Sequence, residues 1–419
     1  MDKRTFLRHA GLAGFGAMLN FDSLAQMIKS VARVSPAELA SDEEFWASIR
    51  EGYRLKPDYI NLENGYYCFL PEQVLEKFIG HVREVNYQGS YYMRTAKDKN
   101  KKAMAAKLAA AAGCSPDELI ITRNTTESMD MIIGGLDWKP GDEAVMAEQD
   151  YGAMLNMFRQ VSKRYGVVNK MVSVPNHPES DEEIIDLYAS ALTDKTRLLM
   201  VCHMINITGQ ILPVRKICDM AHEKGVEVMV DGAHAFGHFT FFIPDLHCDY
   251  YGSSLHKWLS VPLGSGLLYV KKDKIANVWP LIASHIEEPD NIFRLNHTGT
   301  HPDHTDLTIS DALEFQNILG PERKEARLRY LQRYWTSKVR DLPHIILNTP
   351  ADPARSCAIA NVGIRGLEPS QLADILFDRY KIYTVAIHGA GVYGCRITPN
   401  VYTTTGELDV LVDALTQLG

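Results

Sequence analysis

Val226-Glu227-Val228-Met229-Val230-Asp231 is a short apolar run that ends on a carboxylate, and Ser253-Ser254-Leu255-His256-Lys257 places a lysine 26 positions after that carboxylate. An enzyme that uses pyridoxal 5'-phosphate (PLP) needs such a pair. The lysine forms a Schiff base with the cofactor aldehyde, and the carboxylate keeps the pyridine nitrogen protonated, so that the ring accepts electrons from a carbanion. Taken singly, the aspartate also fits a helix cap and the lysine a surface position. The rest of the chain decides between these interpretations.

The composition limits the kinds of protein that this chain can be. With 419 residues, of which 46% are hydrophobic and 23% charged, it has room for one large and one smaller domain. A net charge of -8 and the lack of a long Lys/Arg tract argue against nucleic acid as a partner. No apolar run approaches the roughly 20 residues that cross a bilayer, so no membrane partner is predicted. The seven cysteines include no C-x-x-C pair, which argues against a zinc ribbon or a disulfide scaffold.

Residues 1–25 differ in character from the rest of the chain. Lys3-Arg4-Thr5-Phe6-Leu7-Arg8 is followed by a Gly/Ala-rich stretch, and Ser23-Leu24-Ala25 offers small residues for cleavage. The pattern is similar to a twin-arginine (Tat) export signal in which lysine replaces the first arginine, and it predicts a periplasmic or exported protein. The alternative is an amphipathic N-terminal helix on a cytoplasmic protein.

Helical and strand patterns alternate from about residue 100 to 275. The apolar residues of 129–136 repeat at helical spacing, and Pro213 and Gly225 bracket a second helix. Short apolar runs of the kind found in strands buried on both faces occupy residues 143–147, 170–174, 198–202, 226–230 and 266–270. This alternation predicts an α/β fold with a mainly parallel central sheet covered by helices and with ligands at the carboxyl ends of the strands.

The pattern changes after about residue 300, where a long charged helix (321–340), further strands and a final helix (407–418) indicate a smaller α+β domain. The predicted division of the chain is a signal segment at 1–25, an N-terminal helix and arm at 26–60, a large PLP-binding domain at 61–300 and a small C-terminal domain at 301–419.

Polar side chains follow several of the predicted strands. Arg123-Asn124-Thr125-Thr126-Glu127 precedes a helix, so free backbone amides and the positive end of the helix dipole offer a phosphate site there. A simple threonine N-cap explains the same residues. Tyr151 follows the next strand and fits either a ring stacked on the pyridine or a core side chain. Asn206 closes another strand, where its amide could donate to the phenolic oxygen of the cofactor.

Together these segments closely resemble the class V aminotransferase family of fold-type I PLP-dependent enzymes, and within it the isopenicillin N epimerase-like branch. The segments that carry the resemblance are 123–127, 203–209, 230–235, 254–257 and 396–402, in that order. The resemblance runs from about residue 58 to the C-terminus. It implies the PLP-dependent transferase fold, and PLP as the cofactor.

The resemblance also implies a role for each matching residue. Lys257 matches the cofactor-binding lysine and general base, Asp231 the partner of the pyridine nitrogen, and His234 the residue beside the ring. Arg396 matches the arginine that holds a substrate carboxylate, a role that suits a planar bidentate guanidinium. The remaining matches are to cofactor-binding positions: Thr125, Thr126, Ser254 and His256 on the phosphate and lysine side, Tyr151 stacked on the ring, and Asn206 at the phenolic oxygen.

The segment Thr298-Gly299-Thr300 is similar to the family loop that reaches the phosphate from a second subunit. The resemblance therefore implies a homodimer with a shared active site, in which Thr300 binds the cofactor. The neighbouring His297, His301 and His304, with Asp303 and Asp306, could instead bind a metal. Because their spacing lacks the H-E-x-x-H pattern of a helical site, we predict no metal centre.

The reaction depends on what the protein does with the carbanion. We expect epimerase or racemase chemistry on an amino-acid substrate, in which Lys257 serves one face and a Tyr151 hydroxyl or a water the other. Transamination and C–S lysis by β-elimination are the alternatives, since Lys257 alone suffices for them, and a non-catalytic PLP-binding module is the alternative of another class. Cysteine desulfurase chemistry is disfavoured, because residues 384–394, where desulfurases carry a nucleophilic cysteine, contain none and Cys395 directly precedes Arg396.

Overall fold

A computed structural model describes residues 20–419, so residues 1–19 of the predicted signal segment lie outside the described part of the chain. Its strands are β1 (Ile60–Asn61), β2 (Leu119–Thr122), β3 (Glu143–Ala147), β4 (Val168–Val172), β5 (Thr196–Cys202), β6 (Glu227–Asp231), β7 (Tyr250–Ser254), β8 (Gly266–Val270), β9 (Ile345–Leu347), β10 (Ala360–Ile364), β11 (Ile382–Tyr383), β12 (Val385–Gly389) and β13 (Val392–Ile397). Its α-helices are α1 (Phe21–Ser30), α2 (Pro36–Leu39), α3 (Glu43–Arg50), α4 (Glu72–Gln88), α5 (Ser90–Thr95), α6 (Lys97–Ala112), α7 (Thr125–Gly135), α8 (Gly152–Tyr165), α9 (Asp181–Ala191), α10 (Val214–Glu223), α11 (Asp303–Leu319), α12 (Pro321–Val339), α13 (Pro369–Tyr380) and α14 (Thr405–Gln417).

The main sheet has the strand order β2-β8-β7-β6-β5-β3-β4. Every neighbouring pair in it is parallel except those that involve β8, which runs against both β2 and β7. The carboxyl ends of β2, β7, β6, β5 and β3 therefore meet at one edge of the sheet. The register aligns Cys202 of β5 with Asp231 of β6, and Asp231 with Gly252 of β7.

Both faces of the central strands are buried, as the continuous apolar runs predict. In β6, Val228 and Val230 enter one core cluster, whereas Met229 between them enters the cluster on the opposite face. Full burial of an apolar side chain of this size contributes about 1.5–3 kcal/mol, so strands covered on both sides hold the sheet rigidly. This sheet confirms the predicted α/β class.

Strand β4 corrects one expectation from the sequence. It spans Val168–Val172 rather than 170–174, and Val168 and Met171 are exposed to 47% and 46%. The physical reason is its position: β4 lies at the edge of the sheet and pairs only with β3. The apolar run therefore predicted that a strand is present, but it did not predict that this strand lies at the exposed edge of the sheet.

Helix α10, between β5 and β6, begins and ends at the residues that the sequence predicts. Pro213 caps α10 at its start, and Gly225 just past its end adopts φ +73, in the left-handed region that favours glycine. The side chains of Val214, Ile217 and Ala221 are buried against the sheet. The bracketing proline and glycine thus predicted the helix correctly.

A second, antiparallel sheet has the order β12-β13-β10-β9 and packs with α12, α13 and α14 around a core that includes Trp335, Leu372 and Leu411. The parallel pair β1–β11 joins the segment at residue 60 to this region. Helix α11 instead packs on α4 and α6, and its Ile309 and Leu319 lie in the core of the large sheet.

The N-terminal helix α1 crosses the predicted junction at residue 25. Leu24 and Met27 are only 2% and 1% exposed and belong to the main core. Within residues 20–419, no helix combines the length and apolar character that crossing a membrane requires.

Candidate active site

A cavity of about 410 Å³ opens where the carboxyl ends of the parallel strands meet, a size typical of small-molecule sites. It brings together ten of the eleven predicted site residues: Thr125, Thr126, Tyr151, Asn206, Asp231, His234, Ser254, His256, Lys257 and Arg396. Consecutive strands of one sheet supply most of them, which explains why residues distant in sequence converge.

Lys257 lies beside His234, with 3.0 Å between Lys257 Nζ and His234 Nε2. Trp258 fixes the tautomer of that histidine, because its indole N–H, which can only donate, points to His234 Nδ1 at 3.4 Å. Burial lowers the pKa of His234 well below its usual value, so the ring is neutral and carries its proton on Nε2. In the fraction of molecules in which Lys257 is uncharged, this N–H donates to the lone pair of its amine.

The amine of Lys257 is suited to act as a nucleophile or base near neutral pH. Burial, and secondarily the positive charge of Arg396, lower its pKa to about 8, while the negative charge of Asp231 opposes the shift. A substantial fraction of the side chain is therefore uncharged at pH 8, as a lysine that attacks an aldehyde requires.

Asp231 is the last residue of β6 and is 4% exposed. The backbone N–H of Ala233 donates to its Oδ1 at 2.9 Å, and among the described residues no donor is assigned to Oδ2. Burial raises the pKa of this carboxyl. A buried carboxylate with one unused oxygen matches a cationic ring nitrogen, which would offset the cost of its burial.

A second buried acid supports the floor of the cavity. Asp150 follows β3 and accepts from the backbone N–H of Ala147 at 2.8 Å, and the Cys202 thiol lies 3.2 Å from its Oδ1. Burial raises the pKa of Asp150 to about 7. Sequence reasoning assigned no role to this carboxyl, because its contact with Cys202 joins the end of β5 to the loop after β3 across 52 positions of the chain.

The N-terminus of α7 forms the end of the cavity predicted to bind phosphate. Asn124 caps the helix through Oδ1, which accepts from Glu127 N–H at 2.9 Å. The Ser254 hydroxyl accepts from the Thr125 backbone N–H at 2.9 Å and lies 2.7 Å from Thr125 Oγ1. Two hydroxyls and a helix dipole thus converge on one point, which is favourable for a phosphate dianion.

His256 contributes a polar atom that is buried but unpaired. Its Nδ1 has no hydrogen-bond partner in the described structure, although an unsatisfied buried polar atom is costly. Burial lowers its pKa to about 4, so the ring is neutral at pH 7. This Nδ1 atom is not accessible from the cavity. The unused oxygen of Asp231 and the hydroxyls at the N-terminus of α7 match the ring nitrogen and the phosphate of PLP, so PLP fits the residues that line the cavity.

Arg396 projects from β13 at the opposite end of the cavity and is 7% exposed. Its Nη1 donates to the Asn206 carbonyl oxygen at 3.3 Å, and its Nε and Nη2 face the carboxylate of Glu63, with Nε 3.3 Å from Glu63 Oε2. Sequence reasoning missed Glu63. The pair spans 333 positions of the chain, and no local motif signals a contact of that range.

Tyr151 and Thr300 differ in where the structure places them. Tyr151 is the N-cap residue of α8. Its side chain is half exposed and lines the cavity, so its ring can face a ligand bound there. Thr300 does not reach the cavity of its own subunit. Its neighbours Thr298 and Gly299 line a separate depression with Lys97 and Lys101. The predicted contact of Thr300 with the cofactor would therefore have to be made by a second subunit, and it stays a prediction.

The histidines of this segment separate in the structure. His301 lies close to Asp303 and Asp306, with candidate ligand atoms within 4.8 Å of one another, whereas His297 and His304 are not part of this group. Lys101 Nζ, 3.5 Å from His301 Nε2, brings a positive charge that disfavours a bound cation. The absence of a metal centre stays a prediction.

Comparisons with known proteins place this geometry in context. Residues 69–409 match the family model described as Aminotransferase class-V. Isopenicillin N epimerase of Streptomyces clavuligerus is 27% identical over 390 residues, which cover 89% of this chain and 98% of the relative. A probable cysteine desulfurase of Halobacterium salinarum is 26% identical over 393 residues, which cover 85% of this chain and 91% of the relative.

The fold also has a close counterpart among solved structures. A mutant of the enzyme C-DES with glycine covalently linked to its PLP cofactor aligns with a TM-score of 0.78 and 20% identity, over 87% of this chain and 97% of that chain. This likeness confirms the predicted fold of PLP-dependent transferases.

Proposed function

The chain belongs to the class V aminotransferase family of PLP-dependent enzymes, and from that premise we propose that it acts on the α-carbon of an amino-acid substrate by epimerase or racemase-like chemistry. One observation supports this most strongly. The amine of Lys257 faces the same cavity as Asp231 and Arg396, so a base, a ring-nitrogen partner and a carboxyl-binding group surround one space.

PLP, when bound, supplies an electron sink that lowers the barrier to removal of the α-proton. The protein would hold it through Asp231 at the ring nitrogen and through Thr125 and Ser254 at the phosphate. Lys257 Nζ then carries the α-proton on one face of the substrate, while the His234 ring keeps that amine oriented. Arg396 holds the carboxyl end of the substrate.

Inversion at the α-carbon needs a second proton carrier on the opposite face. Tyr151 is the candidate, because its exposed side chain lines the cavity at the start of α8. A water in the open mouth of the cavity is the other. The similarity to isopenicillin N epimerases at 27% identity supports this choice of reaction.

C–S bond chemistry is the second candidate, because the relatives include cysteine desulfurases at similar identity. The side chain of Cys395 points away from the cavity: it is fully buried, its thiol approaches the Pro369 carbonyl at 3.5 Å, and burial raises its pKa to about 12. These properties argue against Cys395 as a mobile nucleophile. They leave β-elimination and transamination open, since neither needs a cysteine.

The reaction is tested by incubating PLP-loaded enzyme with a panel of amino acids in deuterium oxide. Deuterium at the α-position with loss of optical purity supports epimerisation. A keto-acid product supports transamination, and pyruvate with sulfide from a sulfur amino acid supports C–S lysis. If no amino acid acquires deuterium at its α-position, the epimerase proposal is wrong. A protein that binds PLP but shows no spectral response to amino acids would support a non-catalytic PLP-binding module.

We further propose a homodimer in which Thr300 of one subunit contacts the phosphate held by the other. Light scattering should give twice the chain mass, and Thr300→Ala should weaken PLP retention without altering that mass. A monomer that retains PLP fully contradicts this arrangement.

Export through a Tat-like signal is a separate proposal. Leu24 is buried, so cleavage at Ser23–Ala25 would remove part of the core contact of α1 and should lower thermal stability. Mass analysis of the N-terminus in periplasmic and cytosolic fractions of the native host checks it, since an intact N-terminus confined to the cytosol contradicts export.

A further inference from the structure

The arginine expected to bind a substrate carboxylate already has a carboxylate partner. Glu63 Oε1 pairs with Arg396 Nη2, and Glu63 Oε2 accepts from Nε at 3.3 Å. The side chains are 8% and 7% exposed for Arg396 and Glu63, so water screens the pair poorly. The guanidinium is thus neutralised before any substrate arrives.

Glu63 is held firmly in this position. The Tyr66 backbone N–H donates to its Oε1 at 3.0 Å, and its backbone bridges to Thr398 next to β13. Gly65 lies against the guanidinium, because a Cβ there would come within 2.8 Å of Arg396 Cζ. The pair is therefore built into the meeting point of β1 and β13.

Arg396 lines the cavity, and its guanidinium has more N–H groups than its partners use. Glu63 occupies Nε and one N–H of Nη2, and the Asn206 carbonyl takes one N–H of Nη1 at 3.3 Å. One N–H on each terminal nitrogen is left over. Arg396 can therefore donate to a substrate oxygen without releasing Glu63.

The charge of that substrate oxygen decides how well it binds. A second carboxylate on the same guanidinium lies within a few ångströms of Glu63, where like charges in a poorly screened site weaken binding by roughly tenfold or more. An uncharged carbonyl oxygen accepts the same hydrogen bonds without this repulsion. Removal of Glu63 would also free the rotamers of Arg396, but the loss of repulsion is the larger effect.

We propose that Glu63 is a positioning residue that sets substrate class: by neutralising Arg396, it makes the site prefer amino acids whose carboxyl group is an amide or ester over free amino acids. The proposal rests on the proposed function, because Arg396 must face the carboxyl end of an amine bound at Lys257. Amino-acid amides and the N-terminal residues of peptides belong to the preferred class.

The test compares L-alanine with L-alaninamide, which match in size, as ligands of the PLP-loaded enzyme. Dissociation constants come from the change in cofactor absorbance at one fixed pH. Glu63→Gln keeps an oxygen acceptor for Arg396 and removes the charge. We expect it to tighten alanine binding by tenfold or more and to change alaninamide binding by less than threefold, so the ratio of the two constants measures the effect of Glu63.

Two further variants distinguish charge from damage to the fold. Glu63→Asp retains the negative charge and should keep the preference for the amide. Glu407→Gln is the matched control, since Glu407 forms a similar two-point pair with Arg50 outside the cavity and glutamine is also accepted at its capping-box position. It should leave both constants unchanged.

An unchanged ratio in Glu63→Gln, or weaker alanine binding, overturns the role of Glu63 while the spectral response itself still supports the proposed function. A uniform loss of affinity for both ligands indicates a structural role only and also overturns it. If neither ligand alters the absorbance of wild-type or variant enzyme, the proposed function fails and the inference fails with it.

Discussion

The two ends of the cavity are built in different ways. The cofactor end is assembled from neighbouring strands of one sheet, whose register fixes Asp231 beside Cys202 and Gly252. The substrate end depends on Arg396 of β13 meeting Glu63 after β1, two elements that are not part of the main sheet. Substitutions at the first end should therefore abolish chemistry, whereas substitutions at the second should change which substrates bind.

The largest effect is expected for Lys257→Ala. It removes the amine that faces the cavity, so the turnover of any amino-acid substrate should fall by roughly 10³-fold or more, on the scale of a lost general base. Lys324→Met provides the comparison, because Lys324 is also buried with a pKa lowered to about 8 but does not line the cavity. The Lys324 variant should lose stability and keep turnover in its folded fraction; equal kcat losses in both would contradict the assignment.

Asp231→Asn comes next. Asparagine cannot keep a ring nitrogen protonated, so kcat/KM should fall by about 100-fold or more, as when a preorganised electrostatic partner is lost. Asp150→Asn removes the neighbouring buried acid and should cost less than tenfold. If Asp150 proves the more sensitive of the two, the cofactor end is organised differently from the arrangement described above.

Gly65→Ala tests the substrate end. A Cβ at this position meets the Arg396 guanidinium at 2.8 Å and must displace it. KM should rise by roughly tenfold because positioning of a charged, hydrogen-bonded partner is lost, while kcat changes little. Steady-state kinetics separate the two constants, and a drop confined to kcat would place Arg396 in the chemical step instead.

The smallest effect concerns pH. Only the neutral amine captures an aldehyde, and the pKa of Lys257 is lowered to about 8. The rate at which PLP-free protein takes up PLP should therefore rise with pH, with a midpoint at about 8, and level off above it.

Two variants should move the midpoint of this pH profile in opposite directions. Arg396→Met removes a positive charge and should move the midpoint upward, whereas Asp231→Asn removes a negative charge and should move it downward. Stopped-flow absorbance checks both directions, and a midpoint near the usual lysine value would exclude a buried amine.

The cofactor end was largely predictable from the sequence. Tyr151, Asn206 and Asp231 follow or end apolar runs that predict strands, and the carboxyl ends of parallel strands meet at one edge of a sheet. Ser254 ends β7 and Lys257 follows it, but the sequence of β7 contains no such run, so these two residues were placed by the order of the motifs alone. Lys257, Asp231 and Ser254 accordingly lie where the motif order implied. The edge position of β4 was not predictable, because strand order depends on crossovers that one sequence does not reveal.

The substrate end was only half predictable. Arg396 belongs to a recognisable segment, but Glu63 lies in a stretch that offers no periodicity or spacing linked to β13. Their contact forms because β1 and β11 bring the start of the large domain to the small sheet. Long-range pairs of this kind determine specificity here, and they become visible only in three dimensions.

The most direct test is borohydride reduction of the PLP-loaded protein, followed by peptide mapping. A pyridoxyl tag on Lys257, with none on the similarly buried Lys324, is the expected result. A tag on any other lysine, or its absence from a protein that binds PLP, would contradict the assignment of Lys257 as the cofactor-binding residue.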